Sequence, residues 1–370
     1  MSDANVVETN NNNKSRLYII AGIVVLAIIG LLFYFLYWVK TPAYSLNLIR
    51  EAIEKHDLVK FEKHVDTESL YNRAFDEVVQ KNLTNSGYEN NQLVMGLVGM
   101  LKKTAVDELI NQTKKYVETG DFEIPGQKAA PAKTNQPDGK DVANNLNKNA
   151  GISYIQFKGV ENTQKDGKIA VVTTKVYDKR VDKDFVVKLK MRELEDGEWK
   201  VVEAANLTEY LEEREKAIVE KLNALNKPIQ EQIDKLIQIV DTEVEAVNEN
   251  SFFPMYRLKY RVRYKLAQTE KKIRDLQGVY LISDDNGKDI YGQKVKHNKL
   301  LSIYERADYS PEKVYRFSFQ SGSTLNPFIP SEEKIIKQGV NSFKHQFKVY
   351  CLGLEDGTVL ELLTEIPEPK

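Results

Sequence analysis

Along residues 256–266 the chain alternates strictly between two kinds of side chain. Tyr256, Leu258, Tyr260, Val262, Tyr264 and Leu266 take one parity, and Arg257, Lys259, Arg261, Arg263 and Lys265 take the other. In a strand, a period of two sets these five cations on one face, about 7 Å apart. Such a row can hold an anionic polymer or lipid headgroups, because closely spaced cations gain from counterion release or from an anionic surface. Acidic side chains on adjacent strands would neutralise the same row by cross-strand pairing, which is the competing reading. These five residues are the candidate binding site.

Other reactive residues do not assemble into a motif. His56, His64, His297 and His345 form no pair at helical spacing and no Cys–His set suited to zinc, so they read as ordinary surface histidines. Asp284, Asp285, Asn286 and Gly287 superficially suggest a calcium loop. With Gly287 at the invariant glycine position, however, the first ligand falls on Ile282 and the last on Gln293. Ser321, Gly322 and Ser323 lack the strand-to-helix elbow of a hydrolase, and no phosphate loop or dinucleotide fingerprint occurs. Paired carboxylates such as Glu195 with Asp196 and Glu212 with Glu213 fall at turns or on polar faces. The sequence therefore predicts no catalytic residue, no metal ligand and no cofactor.

Charge balance narrows the partners. Lys and Arg total 53 against 54 Asp and Glu, a net charge of −1, so no basic field argues for nucleic acid. The single cysteine, Cys351, excludes an internal disulfide framework.

The elements that position the cationic row begin with an apolar rod. Leu17 to Val39 is 23 residues without a charged side chain, fifteen of them Leu, Ile, Val or Phe. As a helix it would reach about 35 Å, enough to span the hydrocarbon core. Tyr18 at one end, and Tyr34, Tyr37 and Trp38 at the other, suit the headgroup level. A cleaved signal would have a shorter apolar region and a small-residue cleavage site, whereas this run meets Lys40, Thr41 and Pro42. The expectation is an uncleaved single-pass anchor. The polar leader, residues 1–16, would stay in the cytoplasm, and the body would be exported.

Beyond the anchor the periodicity predicts an α+β fold. Residues 41–206 read as helices followed by an antiparallel meander, interrupted by a Pro-, Gly- and Asn-rich loop over 121–150 that is expected to be mobile. Residues 207–250 read as a helical connector divided by Pro228. Ile229, Ile233, Leu236, Val240, Val244 and Val247 form an apolar stripe on its second part, for a neighbouring domain or for self-association. Residues 251–370 read as strands with turn signals, a β-sandwich.

Thr41, Pro42, Ala43, Tyr44, Ser45 and Leu46, continuing through Ile49, Arg50, Glu51, Ala52 and Ile53 to Asp57, Val65 and Asp66, resemble the start of a bacterial family of unknown function. Its members carry an N-terminal anchor, a Pro-x-Tyr step, a helix with an Ala–aliphatic pair and a Val-Asp step. The helices followed by Asp196, Gly197, Glu198, Trp199, Lys200 and Val201 also resemble the cone-shaped fold of nuclear transport factor two. Some members of that superfamily are enzymes with acid and base residues lining the cone, and many only bind or scaffold. No residue here matches a catalytic motif of theirs. The C-terminal domain is similar in pattern to immunoglobulin-like modules of bacterial envelope proteins.

Together these features predict a non-catalytic, membrane-anchored envelope protein that binds or scaffolds outside the cytoplasm. Its expected partners are the bilayer through 17–39, an anionic envelope polymer or headgroups, and a protein partner or a second copy. The alternative is a small-molecule isomerase or hydrolase using the cone of the first domain.

Overall fold

In the computed structural model, the described residues are 26–27, 37–86, 92–120, 139–250, 255–267 and 270–368. They form an α+β protein of two compact units, one running to Glu215 and the other from Lys216, with 83–90 grouped with the second. Among the described residues no helix is long and apolar enough to cross a membrane. The expected span, 17–39, falls outside them apart from Leu26, Ala27 and Tyr37 to Val39.

The first unit opens with helix α1 (Pro42–Glu54), whose N-terminus Thr41 caps by accepting from the Tyr44 amide at 3.2 Å. Pro42 fills the first helical position, where a missing N–H costs nothing. Helix α2 (Leu58–His64) is capped by Asp57, which accepts from the Lys60 amide. Asp66 accepts from the Ser69 amide at 3.1 Å and starts α3 (Thr67–Ser86). Helix α4 (Gln92–Thr119) returns alongside it, tied by Lys102 to Asp76 and by Tyr71 to Thr113.

Helix α5 (Gly139–Ala150) overturns the mobile-loop expectation for that half of 121–150, while 121–138 lie outside the described residues. Its sequence is poor in helix formers, so local propensity does not explain it. Packing does. Val142 and Leu146 rest on the cluster of Phe75, Ala105 and Val106, and Gln112 donates to Asn144 at 2.9 Å and accepts from Asn147 at 2.5 Å.

Four strands follow as an antiparallel meander in sequence order: β1 (Ile155–Asp166), β2 (Ile169–Asp178), β3 (Lys183–Glu193) and β4 (Trp199–Ala204). Every second residue of β2, from Ala170 to Asp178, is buried, as a one-sided sheet requires. Helix α1 covers that face, and Leu46, Ala170, Val172, Met191, Trp199 and Val201 fill the space between them.

Helix α6 (Leu207–Asp234) runs through Pro228, and the chain then becomes strand β5 (Ile237–Asn248). The predicted helix over 228–250 is thus correct only to Asp234, and 207–250 is not a separate helical connector. Its apolar stripe is shared between a helix and a strand, which removes the helical self-association surface. A bulge between Ile239 and Asp241 hides the alternation: Ile237 and Ile239 face in before it, Val244 and Ala246 after it.

The second unit holds two antiparallel sheets. One is ordered β5–β6–β9, with β6 (Tyr256–Leu266) central and β9 (Tyr315–Gln320) at its edge. The other is ordered β11–β10–β7–β8, from β7 (Ile273–Ser283), β8 (Asp289–His297), β10 (Lys344–Leu354) and β11 (Val359–Glu361). Two short helices the sequence reading missed, α7 (Leu301–Tyr304) and α8 (Pro330–Gln338), add Ile303 and Ile335 to the shared apolar core. The sheets meet through aromatic pairs such as Tyr260 with Tyr280, ring centroids 4.5 Å apart, and Phe317 with Phe347, 5.7 Å apart.

Two of the four histidines belong to this unit. Burial holds His297 and His345 below the usual imidazole value of 6.5, and Lys299 adds to the effect at His297. As pH falls, the unfolded chain therefore binds protons at these positions before the folded chain does. Their contribution to stability is present above about pH 6.5 and is lost as pH drops through the folded values. The urea midpoint of the second unit should fall between about pH 7.5 and about pH 5.5, and His297→Gln with His345→Gln should flatten that slope. A slope unchanged by the double substitution would count against this assignment.

Candidate functional site

Strand β6 forms with the bounds its alternation predicts, and its cationic side chains lie on the face away from the core. Two of the three tyrosines on the inner face of β6 are walled off, and Tyr280 of β7 with them. Tyr260, Tyr264 and Tyr280 are fully buried, and burial pushes the Tyr280 hydroxyl up to about 12 and the other two higher still. Near neutral pH these phenols keep their protons and supply no base.

On the outer face the neighbouring strand supplies acids in register. Arg261 lies opposite Glu243 and Lys259 opposite Glu245, with Arg263 opposite Asp241. Arg263 donates to Asp241 at 2.6 Å and holds that carboxyl below the usual carboxylate range. Arg261 pairs with Glu243, Arg257 with Glu249 at 2.7 Å, and Lys265 with Glu312 at 3.3 Å. Arg257 also donates to the Ser321 and Gly322 carbonyls, closing the edge of the sheet. Among the described residues, Lys259 is the one cation of the five without an ion pair. It borders a shallow depression of about 470 Å³ with Glu243, Glu245, Arg261, Ser318 and Gln320.

The structure thus brings the five predicted residues together as half of a charge ladder. Each exposed rung contributes at most about 1 kcal/mol, and the row as a whole is nearly neutral. A bare cationic ribbon would attract an anionic polymer; this ladder offers it one unpaired ammonium.

A second cluster escaped sequence reasoning. His64, expected at the surface, is only 1% exposed, and its Nδ1 lies 3.1 Å from the Trp199 carbonyl. A carbonyl oxygen only accepts, so Nδ1 carries hydrogen and Nε2 faces the Glu198 carboxylate at 3.3 Å. Lys63 joins the group, 2.5 Å from Glu198 and 2.9 Å from Asp196. Acid–base chemistry needs an approach to Nε2, and the burial of the ring denies it. The cluster instead ties α2 to the β3–β4 turn. Its only sequence signal was His64 following the apolar positions Leu58 and Phe61, a helical pattern that places it inward.

Among the described residues no group of three or more His, Cys, Asp or Glu side chains is placed to hold a metal ion. Compared with protein families, with curated proteins and with solved structures, this chain matches none of them.

Proposed function

We propose that the protein is a single-pass, membrane-anchored envelope protein whose two units bind or scaffold outside the cytoplasm without catalysis. The observation that carries this reading is the uncharged run Leu17–Val39, which ends where Trp38–Lys40 turns directly into the first unit. Around 6 kcal/mol of favourable insertion from its fifteen large apolar residues has no charge to oppose it. Helices on a meander sheet support the cone-like reading of the first unit, and two sheets sharing one core support the immunoglobulin-like reading of the second. The space under α1 is filled by Trp199 and Met191 rather than lined by acids or bases, which favours scaffolding over an enzyme in the cone.

Protease added to intact spheroplasts tests the placement. The body should be digested from outside while a fragment containing 17–39 stays in the membrane after alkaline washing. A body protected until lysis would overturn the exported orientation, and a chain released by the wash would overturn the anchor.

A further inference from the structure

We infer that the first unit stands on the lipid headgroups with its β1–β2 and β3–β4 turns down and its β2–β3 turn pointing away from the bilayer. This rests on the anchor reading and adds the surface that meets the lipid. Three observations carry it.

First, the connection between anchor and unit has no slack. Trp38–Lys40 forms a 3₁₀ turn whose Trp38 carbonyl accepts from the Thr41 hydroxyl at 2.8 Å, and Thr41 is already the cap of α1. Lys40 itself is held, because the Trp199 indole N–H donates to its carbonyl at 3.0 Å. The Trp199 amide donates to the Ser45 hydroxyl at 2.9 Å, so the exit is clamped to both β4 and α1. A chain leaving a bilayer at Tyr37 therefore fixes one end of this unit at the headgroups.

Second, the two turns surround that exit. Trp199 opens β4 directly after the turn containing Asp196 and Gly197, and a Cβ on Gly197 would sit 3.0 Å from the Lys40 side chain. The β1–β2 turn arrives from the other side: Lys165, near the end of β1, holds its ammonium 4.8 Å from the centre of the Trp199 ring. Lys40 and, in the two turns, Lys165, Asp166, Lys168, Glu195 and Asp196 are exposed. Lys165 pairs with Glu193 and Asp196 with Lys63, which leaves a mixed surface suited to zwitterionic and anionic headgroups alike. Tyr37 and Trp38, 64% and 46% exposed, sit at the exit where amphipathic rings favour the interface.

Third, the sheet is a ruler pointing away from the exit. From Ile169 to Asp178, β2 advances about 30 Å. Lys168 precedes its near end and Lys179 follows its far end, and both are exposed. Helix α3 runs in the direction of β4, since Arg73 pairs with Glu203 and Glu77 accepts from Thr208 farther along. Exposed Leu97 and Met100 on α4 lie beyond that point, so lipid is not what covers them.

The experiment uses the full chain reconstituted in vesicles containing a headgroup spin-labelled lipid. Lys168→Cys and Lys179→Cys are each labelled with a thiol-reactive fluorophore, the native Cys351 being buried and out of reach. The label at 168 should lose most of its emission and the label at 179 should keep it. Equal loss, a reversed order, or no loss at 168 while the chain remains in the vesicles would overturn the inference. A chain that leaves the vesicles on alkaline washing would instead defeat the anchor reading on which it stands.

Discussion

Arg214→Met should cost about 3–5 kcal/mol of folding stability, the expected penalty for leaving a buried charge without its partner. Arg214 and Asp178 are 1% and 0% exposed, with Nε donating to Oδ2 at 2.7 Å. The guanidinium also donates to the Asn149 carbonyl at 2.8 Å, and Tyr210 donates to the Ala150 carbonyl at 2.8 Å. Together they close the C-terminal end of α5, whose last carbonyls have no helical partner. Asp178 is held from its other side by the Arg180 amide at 2.7 Å. One arginine thus fastens α6, α5 and the end of β2. Urea denaturation of the purified chain, followed by tryptophan fluorescence, gives the loss directly. Adding Asp178→Asn should recover part of it, because the stranded charge is gone. A loss below about 1 kcal/mol would show that the pair is not holding these elements. Gly151 belongs to the same joint: its φ of 67° lies in the left-handed region, and a Cβ there would sit 2.3 Å from the guanidinium.

Trp199→Ala should cost a comparable amount, about 3–5 kcal/mol, by emptying the middle of the core under α1. The indole is fully buried among Leu46, Val172, Met191 and Val201. Trp199→Phe separates the two roles. It keeps most of the apolar volume and loses the bond to Lys40, so about 1 kcal/mol is expected. The same variant should loosen the turn at Trp38–Lys40, read as faster proteolysis near Lys40. If alanine and phenylalanine cost the same, the ring is not filling that space.

Where secondary structure follows from local periodicity, it was legible. Strand β6 could be bounded from its alternation, and Asp66, which opens α3, belongs to a residue type that favours capping. The turns at Asp166, Asp196 and Asp356, each followed by glycine, were visible for the same reason: Gly167, Gly197 and Gly357 all adopt positive φ. Strand β5 was misread because one extra residue at its bulge shifts the inward parity, leaving spacings that also fit a helix. Helix α5 was missed because its support comes from Gln112 and Phe75, distant in sequence. At the candidate site, the cationic row was visible but its neutralisation was not, since Glu243 and Asp241 become its neighbours only through strand pairing.

By itself, the sequence determined the uncharged apolar run Leu17–Val39, the two-part α+β plan and the five-cation face of β6, because each is written in the period or polarity of adjacent residues. Tertiary structure alone decided that Arg214 meets Asp178, that His64 is buried against Trp199, and that Lys40 is clamped at the sheet end. Those contacts join residues 36, 135 and 159 positions apart, and no local rule of spacing reaches that far.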